Sequence, residues 1–108
     1  MNVWAINKDN AIRRLLHVLS ERFGSDVFVL SARWEKDESA VGLYLPGEEF
    51  LLAYIFTYGQ EMGRYGLHLE YPEAQNLGAT TQMMENLGLN QLVELLQAHF
   101  NIEPRQCG

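Results

Sequence analysis

The chain is poor in the residues that would give it away. Of its 108 residues only one is cysteine, Cys107, next to the C-terminal Gly108. A lone thiol closes no internal disulfide, so the fold must stand on packing, and the composition fits a reducing compartment. No apolar run approaches the roughly 20 residues that a bilayer-spanning helix needs. Residues 1–8 lack the basic head and apolar stretch of an export signal, so a cytoplasmic protein with no membrane partner is expected. Positive charge is also scarce: 8 Lys and Arg stand against 14 Asp and Glu, for a net charge of −6. Such a field repels phosphate backbones and attracts basic surfaces, which excludes nucleic acid as the expected partner. The histidines His17, His68 and His99 stand at no metal-ligand spacing, and one cysteine cannot complete a zinc pattern. Gly59, Gly63 and Gly66 do not lead into a helix, so no phosphate cradle is formed. No metal and no cofactor are expected.

What remains is unevenly distributed. Residues 8–22 carry Lys8, Arg13, Arg14 and Arg22 against Asp9 and Glu21, a local +2 that leaves −8 for the rest. Asp9 or Asn7 is placed to cap a first helix. Ile12, Leu15, Leu16, Leu19 and Phe23 recur at helical spacing, and Gly24 ends the run. Residues 27–34 alternate as a first strand, and residues 40–45 form a second. Pro46-Gly47 is a turn pair. Residues 50–58, F-L-L-A-Y-I-F-T-Y, are apolar on both alternating faces, and residues 64–71, R-Y-G-L-H-L-E-Y, alternate strictly. Pro72 stops the sheet, because it cannot donate to the ladder. Thr80 or Thr81 opens a short helix to about Asn86, and Gly88 interrupts it. Leu89, Leu92, Val93, Leu96 and Phe100 mark a final amphipathic helix with Asn90 as its expected cap. Residues 3–6 could add an edge strand, and residues 103–108 form a tail.

The expected fold is one α+β domain over residues 1–108: two layers, a four-stranded antiparallel meander with its N- and C-terminal helices on one face. If the bulkier side chains take the covered face, Phe50, Leu52, Tyr54, Phe56, Leu67 and Leu69 point inward, with Phe28, Leu30, Val41 and Leu43. Leu51, Ala53, Ile55 and Thr57 are then left on the open face beside Gly66, His68 and Glu70. An uncovered apolar face with an acidic edge has the make-up of a protein interface. A homodimer through the same face, or a cover supplied by the chain's own loop or tail, is the alternative use of it.

His68 and Glu70 lie two apart on a strand and so share a face, which is the arrangement of an acid–base pair. No Ser or Cys nucleophile is placed beside them, so they read as a polar pair at an interface and no catalytic residue is assigned. The tyrosines could stack on bases, as in RNA-binding sheets, but the acidic balance opposes it.

In size, acidity, single-domain α+β build and want of catalytic groups, the chain resembles the immunity proteins of bacterial toxin–immunity pairs. The resemblance is one of overall character, covers the chain only in that sense, and carries no residue roles across. It implies a non-catalytic protein that occludes a toxin domain, commonly a nuclease with a basic groove, its acidic side chains standing in for phosphates. The expected partner contacts are Glu35, Asp37, Glu38, Glu48, Glu49, Glu61 and Glu70, with His68 among them and Tyr44, Tyr58 and Tyr65 as aromatic anchors. A homodimeric adaptor or assembly subunit, and a phage-type inhibitor that mimics nucleic acid, are the alternatives.

Overall fold

Asp9 sets the start of the first helix. Its Oδ1 accepts the Ile12 N–H at 2.9 Å, satisfying one of the free donors of the opening turn. Helix α1 then runs Asn10–Phe23, and the five apolar residues of its stripe are all buried. The computed structural model describes residues 8–71 and 81–104. The expected edge strand at 3–6, the loop at 72–79, Cys107 and the last four residues of the expected tail lie outside them.

The sheet has five strands in the order β1-β2-β3-β4-β5, every neighbouring pair antiparallel: β1 Val29–Leu30, β2 Ala40–Leu45, β3 Glu48–Phe56, β4 Tyr65–Glu70 and β5 Thr81–Leu87. Helix α2, Leu89–Phe100, is the last described element. It starts at Gly88 without a side-chain cap, so the expected cap Asn90 lies inside the helix, and it ends on Asn101 at a left-handed φ of 53°. No described helix is long and apolar enough to cross a membrane.

Two elements differ from the sequence reading. The first strand is cut to two residues because the chain tightens into a 3-10 turn, Ala32–Trp34, where the Ser31 hydroxyl accepts the Arg33 N–H at 3.3 Å. The segment expected as a short helix up to Asn86 is instead β5, so the sheet has five strands and not four. Without it the outer edge of β4 would leave its backbone donors and acceptors unpaired, a demand that outweighs weak helix propensity. Pairing with β4 carries an irregularity between Tyr65 and Leu67, and Asn86 takes a φ of 53° there.

The faces of β3 are also the reverse of the expectation. Register places Val41 opposite Ile55, Leu43 opposite Ala53, and Ile55 opposite Leu67. These side chains, with Leu69, form one buried cluster with Ile12, Leu15, Leu16 and Leu19 of α1 and Leu92, Val93, Leu96 and Phe100 of α2. Ile55 is 0% exposed. Phe28 joins the two helices, its ring 6.1 Å from that of Phe23 and 5.3 Å from that of Phe100. The inward placement of Phe28, Val41, Leu43, Leu67 and Leu69 holds. Phe50, Leu52, Tyr54 and Phe56 point the other way, and Leu51, Ala53 and Ile55 belong to the core. Size was the wrong criterion: the helices already bring long aliphatic side chains to the sheet, and Ala53 gives them room.

His99 lies at the core's margin. It is 9% exposed, with its Nε2 donating to the Leu52 carbonyl at 3.2 Å and its rings neighbours being Tyr71 and Phe100. Its Nδ1 is buried without a hydrogen-bond partner among the described residues. Burial therefore holds its pKa below the ordinary value, against the opposing pull of the Leu52 carbonyl. The unfolded chain binds the proton more readily than the folded one, so stability is complete above the unfolded pKa of about 6.5 and declines as pH falls from there toward the folded pKa. Denaturant unfolding of the native chain should show this loss between pH 7.5 and 5.5, and His99→Gln should flatten it. An unchanged slope in that variant would count against the buried neutral imidazole. The reversed faces are checked separately: Ile55→Ala should cost about 2–5 kcal/mol in the same assay, and near-neutrality would contradict its place in the core.

Candidate functional site: the aromatic face of the sheet

With the helices on one face, the other carries a row of rings. Trp34 stacks on Tyr54 with centroids 4.5 Å apart, Tyr54 on Phe56 at 5.2 Å, and Phe56 on Tyr58 at 4.9 Å, all with planes within 27°. Three of the four come from alternate positions of one strand and its continuation, which is why they share a face. The fourth is brought over by the 3-10 turn.

Two glycines make room for the row. Gly42 pairs with Tyr54, and Gly66 pairs with Phe56. A Cβ at Gly42 would overlap the six-membered ring of Trp34, and a Cβ at Gly66 would overlap the ring of Phe56. Above Phe56 the hydroxyls of Tyr54 and Tyr58 bond to each other. Phe56, thus floored by Gly66 and flanked by two tyrosines, is only 7% exposed, whereas Tyr58 at the end of the row is 53% exposed. Burial, then the hydrogen bond shared with Tyr58 and the charge that phenol would carry, then nearby Asp37 raise the pKa of Tyr54, so its hydroxyl keeps its proton.

The ring faces are largely spent on one another. Tyr54 and Phe56 each stack against two rings, so the row offers edges, hydroxyls and its two end rings rather than a stacking platform for bases. One end is already in use: the Arg33 guanidinium lies 4.5 Å from the centroid of Trp34.

The acidic turn after the row is held from below. The Lys8 ammonium donates to the carbonyls of Trp34 at 2.6 Å and Asp37 at 2.5 Å. Burial lowers its pKa, against the attraction of Asp37, Glu35 and Asp9. Asp9 donates its N–H to the Glu38 carbonyl at 2.8 Å and accepts the Thr57 hydroxyl at 2.6 Å. Thr57 N–H reaches the Ser39 carbonyl at 2.9 Å, so residues 35–38 lie beside the end of the row at Tyr58. The following loop is pinned too: the Glu61 N–H donates to Asn86 Oδ1 at 3.0 Å, and the Asn86 N–H to Gln60 Oε1 at 2.6 Å. Met62, at the tip of that loop, is wholly exposed.

The expected contacts divide accordingly. Glu35, Asp37 and Glu38 are exposed in the turn at the Tyr58 end, and Glu61 is exposed in the pinned loop. Glu48 and Glu49 are exposed at the opposite end of β3, roughly 30 Å away at the rise of a strand. Tyr44, His68 and Glu70 are half-buried on the same face as the row. His68 lies between Tyr54 and Met83 in register, and no hydrogen bond or ion pair joins it to Glu70 among the described residues. Tyr65 is a correction: it is buried on the core face, and its hydroxyl donates to the Ala11 carbonyl at 2.8 Å, so it cannot anchor a partner. Sequence reasoning missed Trp34, Tyr54 and Phe56 as members of this face, and Lys8 and Asp9 as its supports. The available signal was Gly42 and Gly66, gaps on two strands that flank the most aromatic one. Among the described residues, no group of three or more His, Cys, Asp or Glu converges as a metal site.

Compared with protein-family models, curated proteins and solved structures, the chain matches none.

The glycine floors give a direct test. Gly66→Ala should destabilise the fold by about 1–3 kcal/mol through overpacking, and much of that loss should vanish in a Phe56→Leu background. Equal losses in both backgrounds, measured by denaturant unfolding, would contradict the contact between the ring and Gly66.

Proposed function

We propose that this chain is a non-catalytic binding protein that captures a basic protein partner on the open face of its sheet, in the manner of an immunity protein blocking a toxin domain. The observation that carries the reading is the aromatic row joined to a clamped acidic turn. An interface needs aromatic anchors that are already ordered, and a charged rim that steers the partner. Tyr58 and Met62 are exposed on segments tied down by hydrogen bonds, so little conformational freedom is left to lose on binding. Charge supports the same side: residues 31–70 hold three basic against seven acidic side chains, while α1 carries the basic excess.

The partner's surface is basic and protein in nature. A nuclease domain is the natural class, since the groove that binds its substrate is positive. The rival reading is a homodimer through the same face, favoured by the exposure of Phe50 and Met83.

Co-expression with the product of the neighbouring reading frame tests the proposal. The expected outcome is protection of growth and a stable heteromeric complex whose association rate falls as salt rises from 50 to 500 mM. A neighbour that is harmless alone and fails to bind would overturn it. Light scattering of the isolated chain decides the rival, because a tight dimer at micromolar concentration would bury the proposed face.

A further inference from the structure

Resting on the capture of a basic protein proposed above, we infer that the Tyr58 end of the aromatic row, with Asp37 beside the Tyr54–Tyr58 hydroxyl pair, is a seat for an arginine side chain of the partner. The parts a guanidinium requires are gathered there. Asp37 supplies a carboxylate with one oxygen, Oδ1, accepting the Ser39 N–H at 2.9 Å, which fixes its position. The turn bond from the Asp37 N–H to the Trp34 carbonyl at 3.1 Å and the Lys8 ammonium on both carbonyls hold it against the row. The carboxylate is close enough to Tyr54 to disfavour ionisation of its hydroxyl.

The hydroxyl pair adds acceptor lone pairs: when one phenol donates to the other, acceptor capacity remains on both. The exposed ring of Tyr58 adds a π-surface at the end of the row, where no further ring is stacked upon it among the described residues. A guanidinium is planar, so it can lie on that ring while its edge donates to the carboxylate and a hydroxyl. A lysine ammonium has no such plane. The row already holds one guanidinium in this way, since Arg33 lies over Trp34 at its other end. Glu35 and Glu38 in the same turn as Asp37, and Glu61 three residues beyond Tyr58, are exposed and supply the longer-range attraction, while Lys8 is buried on carbonyls and does not compete for the surface.

Hexa-arginine and hexa-lysine peptides of equal charge are the probes, titrated into the full isotope-labelled chain and read by calorimetry and amide shifts. The expected result is that hexa-arginine binds about fivefold more tightly, with shifts centred on residues 34–38 and 54–58. Asp37→Asn keeps the oxygen that Ser39 uses and removes the charge. That variant and Tyr58→Ala should each weaken hexa-arginine about fivefold or more, and Tyr58→Phe should weaken it less. Glu48→Gln with Glu49→Gln, which removes two charges at the far end of β3, should leave it within about twofold. Equal binding of the two peptides, or an equal loss from the distant double variant, would overturn the arginine seat while leaving charge-led capture intact. Absence of binding by either peptide would overturn the seat as well, and the co-expression experiment would still decide the capture reading on its own.

Discussion

The strand register is the constraint on which the rest of this structure depends. Pairing Tyr54 with Gly42 and Phe56 with Gly66 fixes both faces of β3 at once. A shift of one residue would send the rings into the helix layer and Ile55 into solvent. In the observed register, short aliphatic side chains meet the leucines of α1 and α2, and the rings find floors without side chains on the far side. The sheet thus has two apolar faces of different kinds. One is buried against the two helices. The other is a single row of rings, closed over Phe56 by a bond between two phenols and open at Tyr58.

A second set of contacts gives that row a fixed neighbourhood. Asp9 caps α1, binds the Thr57 hydroxyl and donates to the Glu38 carbonyl, while Lys8 gathers the carbonyls of Trp34 and Asp37. Two adjacent residues therefore connect the helix start, the acidic turn and the end of β3. The ammonium of Lys8 is desolvated, a cost offset by two short charge-assisted hydrogen bonds and by nearby carboxylates. The acidic side chains of the turn project from a backbone that is held in place, which is what separates an ordered electrostatic surface from a merely solvated loop.

Much of the architecture was legible from periodicity. The stripe of α1 with Asp9 as one of its two candidate caps, the position of α2, the β2 to β4 meander and the inward set Val41, Leu43, Leu67 and Leu69 all follow from spacing and turn chemistry. What spacing could not supply was a choice between two apolar faces of β3, because alternation carries no signal when both phases are greasy. Residues 81–87 misled for a related reason: their polar and apolar residues fit a short helix and a strand alike, and only the unpaired edge of β4 decides. At the site, residues 35–38 were readable as an exposed polar turn, and Tyr58 as an aromatic residue at the end of the β3 run. Tyr65 shares the alternation phase of Leu67 and Leu69, so its inward placement was readable and was overlooked; what the sequence did not show is the Ala11 carbonyl that takes its hydroxyl. Trp34 was hidden because it reaches the row through a 3-10 turn that interrupts an otherwise strand-like run.

The two ends of the sheet are unequal. At one, the side chains of Asp9, Gln60 and Asn86 lash the loops together. At the other, β2 and β3 are joined only by Pro46-Gly47, both exposed, with Gly47 at a φ of 81° and no atom other than those of its chain neighbours within 4 Å of where its side chain would stand. That hairpin tip is the place where the molecule can be handled from outside. A fluorophore, an affinity tag or a grafted peptide inserted there would hang clear of the aromatic row by most of the length of β3, turning the far end of the sheet into a tether for immobilising the protein with its Tyr58 end facing away from the support.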